Sequence, residues 1–199
     1  MLTSYDDSSL VVDRLRDQVR GQNTAVNSFY FNFTVRKELS ATRVLGSMLK
    51  QMIDTMGIVP EDISAGLRKQ MNTIYGHEGQ LVRIVKILQL ITSSQPTFMC
   101  IDSLDGCVGA QRVKILDSLE QILEKAPRTR IFLTGRPQIR AEIEERLAGR
   151  VISVSVCASK GDIITYLRVR LAEDRTPDAM DESLEADILE KIPENTPRM

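Results

Sequence analysis

The sequence predicts an α/β fold, a parallel sheet covered by helices on both faces. Three observations predict it. Short apolar strand-like runs alternate along the chain with amphipathic helical segments, the pattern of βαβ units. The run Phe98-Met99-Cys100-Ile101 is continuously apolar and follows Gln95-Pro96, which marks a strand buried on both faces. That run passes directly into Asp102, at the end of a strand where open parallel sheets bind ligands.

Each element has its own signal. Ser8 or Ser9 caps a helix with Leu10, Val11, Leu15 and Val19 facing inward, ended by Gly21. Phe29 to Phe33 reads as an aromatic strand bounded by Asn27-Ser28 and Thr34. Ser40 opens a helix whose Leu45, Met48, Leu49, Met52, Ile53 and Met56 keep the i, i+3, i+4 spacing of one buried face, and Gly57 ends it. Pro60 starts a weaker helix to about Thr73, and Gly76 to Gly79 reads as a loop. Leu81, Ile84, Val85, Leu88 and Ile91 mark the next helix. After the central strand, a helix from about Ala110 to Lys125 buries Val113, Leu116, Leu119, Ile122 and Leu123. Arg130 to Thr134 is a strand, followed by a helix carrying Ile139, Ile143 and Leu147 and ended by Gly149. Val151 to Val156 is read as a further strand, expected to be detached or paired directly with the Arg130 strand. Asp162 is read as capping a helix, and a last one runs from about Glu182 to Ile192.

Composition excludes several classes of function. The 199 residues are 42% hydrophobic and 27% charged, an ordinary globular balance. A formal net charge of −1 makes no electrostatic case for nucleic acid or anionic lipid. No apolar run approaches the roughly 20 residues a membrane helix needs, and no signal peptide is recognisable. The three cysteines, Cys100, Cys107 and Cys157, do not form a disulfide framework, which fits a reducing, cytoplasmic setting. His77 is the single histidine, too little for a zinc site or a Ser-His-Asp triad.

The chemistry centres on Asp102. A carboxylate at the carboxyl end of a buried strand can hold Mg²⁺, directly or through water. Asp105, in the turn beyond, is within reach of the same place. The alternative is that both are turn formers and helix caps.

The ordered set of motifs resembles the NACHT-type NTPase core of the STAND class, as found in many proteins of filamentous fungi. The set is an aromatic strand, a helical insert, Asp102-Ser103-Leu104-Asp105-Gly106-Cys107, a helix, and a strand ending Thr134-Gly135-Arg136-Pro137. In that family the corresponding segments usually read D-A-L-D-E-C and S-R-P. The resemblance implies a P-loop NTPase-like sheet in three αβα layers, with residues 1–158 a partial NTPase core and 159–199 the start of the following helical region. It implies Asp102 as the Mg²⁺ residue, Asp105 as a catalytic acidic residue near the γ-phosphate, and Arg136 as the arginine that reads phosphate charge. A guanidinium suits that role because it stays charged and donates to two oxygens at once. The implied cofactor is Mg²⁺ with ATP or GTP.

Two departures qualify what is expected. No G-x-x-x-x-G-K-[ST] occurs, so the backbone N–H cradle and lysine that bind phosphates are missing, together with the strand that carries them. In the family that strand sits between the strand ending near Arg136 and the Val151 strand. Gly106 also stands where the family usually has the Glu that polarises water. The chain is thus expected to be an excerpt of a signalling NTPase, truncated at both ends and inactive alone. Its relatives' partners would be nucleotide, their own copies and other proteins, with no nucleic acid and no membrane. A non-catalytic interaction or scaffold module on the same fold is the alternative. An unrelated α/β fold of receiver type is a third reading, disfavoured because the Phe29 strand leads to Asn32 and Thr34 rather than an acidic pair.

Overall fold

A computed structural model describes residues 4–31, 39–56, 61, 64–65, 68, 77–156, 158–173 and 181–195. The chain divides into two compact units, Met1–Val151 and Ile152–Met199.

In the first unit, three parallel strands form one sheet in the order β1-β2-β3. The strands are β1 (Ala25–Tyr30), β2 (Thr97–Asp102) and β3 (Thr129–Leu133). The helices are α1 (Ser4–Gln18), α2 (Ala41–Thr55), α3 (His77–Ser94), α4 (Gly109–Lys125) and a short α5 (Arg140–Arg146). This is the predicted α/β architecture, a parallel sheet flanked by helices, compatible with a P-loop-like αβα fold.

The core follows from the helical spacing. Val44, Leu45, Met48 and Met52 of α2 meet Leu88 and Ile91 of α3 and Ile115, Leu116, Leu119 and Ile122 of α4, all buried. They close on Met99 and Ile101 of β2. Helix α1 packs on β1 and β2, with Val12 buried. On that face β3 leaves Phe132 38% exposed.

Caps account for the helix ends. Ser40 caps α2 by accepting the Arg43 N–H at 3.2 Å. Gly21 and Gly149 adopt φ of +78° and +73°, the left-handed backbone that ends a helix at little cost when the residue is glycine.

Several expectations are corrected. Strand β1 begins at Ala25 rather than Phe29, because Ala25 to Ser28 pair with Thr97 to Cys100 of β2, and Asn32 and Phe33 of the expected strand lie outside the described residues. Helix α1 starts at Ser4, ahead of Ser8. His77 opens α3 instead of lying in a loop. The helix expected from Pro60 to Thr73 lies largely outside the described residues. Residues 151–156 join no sheet, and Ile152, Val154 and Val156 are 93%, 79% and 84% exposed. Alternating apolar residues define what a strand would bury, but a strand exists only with a neighbour to bond.

The second unit holds α6 (Lys160–Ala172) packed on α7 (Glu182–Asn195). Ser159, not Asp162, is the N-cap. Its side chain accepts the Asp162 N–H while Asp162 takes the Ser159 N–H, a reciprocal capping box. The Ser159 hydroxyl, donating to Asp162 Oδ2 at 2.7 Å, and the Ser159 N–H lower the Asp162 pKa.

Candidate functional site

The carboxyl ends of β2 and β3 meet at one place. Asp102 is the last residue of β2 and is 2% exposed. The chain then turns sharply: Ser103 takes φ 57° and ψ 43°, the left-handed region that non-glycine residues enter at a cost. A short 3₁₀ turn, Leu104–Gly106, follows and carries Asp105.

Strand β3 leads into Thr134-Gly135-Arg136, and this tripeptide clasps the β2 turn at several points. The Thr134 N–H donates to the Ile101 carbonyl at 3.0 Å, and the Thr134 carbonyl accepts the Leu104 N–H at 2.9 Å. The Thr134 hydroxyl donates to Asp102 Oδ1 at 2.5 Å and accepts the Ser103 N–H at 2.9 Å. The Ser103 hydroxyl donates to Asp102 Oδ2 at 3.1 Å. Both carboxylate oxygens are therefore hydrogen-bonded, as a buried anion requires.

Asp105 is bound differently. Its side chain is 5% exposed and pairs with Arg136, Nε to Oδ2 at 3.5 Å, while its Oδ1 accepts the Arg136 N–H at 3.2 Å. The backbone between the two contacts passes close to its surroundings. A Cβ on Gly135 would lie 2.6 Å from Ile139 Cδ1, and Ile139 is itself buried.

The two aspartates thus differ in charge balance. Asp105 faces a guanidinium, whereas Asp102 receives only neutral hydroxyl donors among the described residues. A neutral donor satisfies a lone pair without supplying a counter-charge. Among the described residues no group of three or more His, Cys, Asp or Glu could cage a metal.

The structure brings all three predicted site residues, Asp102, Asp105 and Arg136, to this one corner. Thr134 and Ser103 are the polar members that sequence reasoning missed. The signal for Thr134 was a hydroxyl ending a strand next to the Asp102 strand, readable only once the two strands are known to be neighbours. Gly106 lies in the 3₁₀ turn and supplies only backbone.

A cleft of about 490 Å³ lies elsewhere, at the start of α2, lined by polar residues including Gln80, Gln111 and Lys114. Its helix end is already satisfied, since Gln111 Oε1 accepts the Ala41 N–H at 2.9 Å and Ser40 accepts that of Arg43. No helix among the described residues is long and apolar enough to cross a membrane.

Comparison with known proteins adds one match. The model of the family described as Nephrocystin 3, N-terminal, matches residues 8–136, a stretch that holds the whole sheet and runs to Arg136. Neither the curated proteins nor the solved structures yield a match. Over roughly two thirds of its length, with the candidate site included, the chain belongs to the Nephrocystin 3, N-terminal family.

Proposed function

We propose that this chain is part of a NACHT-type signalling NTPase, of the kind common in filamentous fungi, and that it carries the metal-facing half of the nucleotide site. The observation that supports this most is Asp102: a buried carboxylate at the end of the middle parallel strand, held by hydroxyls and matched by no cation among the described residues. The donors at this corner are hard oxygens, which suit Mg²⁺. One carboxylate does not make a metal cage. Mg²⁺ in NTPases is held by one or two carboxylates together with the substrate's phosphates, so the corner fits Mg²⁺ arriving with ATP or GTP. When bound, the ion would neutralise phosphate charge.

The chain's own residues then divide the work. Asp102 orients the cation or its water shell. Arg136, 67% exposed along its side chain, extends from the same turn and supplies a fixed positive charge for phosphate oxygens. Asp105 holds Arg136 by its backbone and its guanidinium, so it acts on an attacking water only where that pair opens. The phosphate-binding loop is not in this sequence. The open side of β3 is where the family places the strand that carries it.

The second reading is a non-catalytic interaction module. It is favoured by Gly106 in place of the usual Glu and by the engagement of Asp105 with Arg136. Titration of a fluorescent ATP analogue, with and without Mg²⁺, into this chain and into Asp102→Ala separates the two. The NTPase reading expects Mg²⁺-dependent binding that Asp102→Ala abolishes. A folded protein that binds nothing up to millimolar nucleotide overturns it for this chain and leaves the interaction module.

A further inference from the structure

We propose that Thr134 is a positioning residue for Asp102: its hydroxyl sets the orientation in which the carboxylate receives a divalent cation. This rests on the metal-facing reading of the corner. Thr134 is the point where the two strand ends are joined. Its backbone bonds both Ile101 and Leu104, which ties this residue, directly after β3, to the end of β2. Its hydroxyl is used in both directions. The acceptor side takes the Ser103 N–H, which leaves the single proton for Asp102 Oδ1. The direction of that hydrogen bond is thereby determined, and with it the rotamer of Asp102.

The second hydroxyl, from Ser103, holds Oδ2 at the longer distance of 3.1 Å. Ser103 makes this bond from the left-handed backbone at φ 57°, and its N–H bond to Thr134 helps to hold that conformation. Thr134 therefore supports Asp102 directly and also through Ser103. Groups that orient a metal-binding carboxylate without touching the metal typically contribute 10- to 100-fold to metal affinity.

The test uses Mn²⁺ as a paramagnetic stand-in for Mg²⁺, read by broadening of the backbone amide signals of Ile101, Ser103 and Leu104 in the whole chain. Wild type and Thr134→Ser, which keeps the hydroxyl, should broaden at similar Mn²⁺ concentrations. Thr134→Val, of the same shape without the hydroxyl, should need about 10- to 100-fold more. Ser103→Ala, expected to shift by a smaller factor, serves if Thr134→Val does not fold. Equal broadening in wild type and Thr134→Val overturns the proposal. So does a wild type whose Asp102 neighbourhood never broadens, and so does a Ser variant that fails as the Val variant does. Mn²⁺ broadening without any binding of the ATP analogue would sink the NTPase reading and leave the role of Thr134 standing. Nucleotide binding that is lost in Asp102→Ala and untouched in Thr134→Val would do the reverse.

Discussion

The two edges of the sheet are finished in opposite ways. Just past β1, Phe31 donates its N–H to the Asp102 backbone carbonyl, so alternation turns the backbone of Ser28 away from β2. Gln51 of α2 covers it. The carboxamide accepts the Ser28 N–H at 3.1 Å and donates to the Ser28 carbonyl at 2.8 Å, as a neighbouring strand would. On β3, Thr134 donates to Ile101, and the same alternation turns Ile131 and Leu133 outward. Their outward N–H and C=O groups have no partner among the described residues. Arg130 reaches the carbonyls of Pro127 and Thr129, at the start of the strand only. At Ser28 the β1 edge is covered by a side chain from a packed helix; the β3 edge is left with backbone groups able to bond a further strand.

This contrast sorts mutations by backbone parity more than by side chain. Phe132→Pro removes an N–H that bonds β2, and its cost should be about 3 kcal/mol or more beyond that of Phe132→Ala. Ile131→Pro removes an outward N–H, so in urea denaturation it should stay near Ile131→Ala. Equal penalties at the two positions would show that the β3 edge is not open.

Gln51→Met keeps the bulk and removes the carboxamide. It should cost about 1–3 kcal/mol by the same measurement, because two backbone groups at the β1 edge lose their partners. A neutral result would mean that water serves that edge as well as Gln51 does.

Arg130→Val should change stability by less than about 1 kcal/mol but lower the concentration at which the protein self-associates in sedimentation. A charged side chain on an open edge opposes pairing with other chains, so unchanged self-association would show that the β3 edge is not accessible.

The smallest signal comes from the strand between the edges. Burial pushes the Cys100 thiol up to about 11, opposed by nearby Arg16, and burial raises Cys107 as well. Since the folded value of Cys100 exceeds the ordinary 9.0, its contribution to stability is complete below pH 9 and is lost as pH rises toward 11. In a Cys157→Ser variant, both remaining thiols should react with a thiol reagent at pH 8 only as fast as the sheet opens. Fast labelling would show that the open edge frays through to β2.

Much of the site was legible because its residues are close in sequence. Asp102 and Asp105 sit on one turn, and Arg136 closes the next strand, so knowing that the two strands are parallel neighbours suffices to bring them together. The β1 boundary was not legible, since Asn27 and Ser28 have turn-forming side chains. Inside the fold Asn27 is fully buried and Ser28 is bonded by a residue 23 positions away. The Val151 segment misled for the converse reason: its alternation is local, and pairing is not.

By itself the sequence determined the α/β class, the helices with one apolar face, the middle strand and its terminal aspartate. Periodicity and burial of apolar side chains are local properties, written within ten or fifteen residues. Only the tertiary structure decided which strand edges are closed, that Thr134 and Ser103 hold Asp102, and that Arg136 lies on Asp105. Most of these depend on hydrogen bonds between residues some twenty to thirty positions apart, and their geometry exists only after the strands have paired.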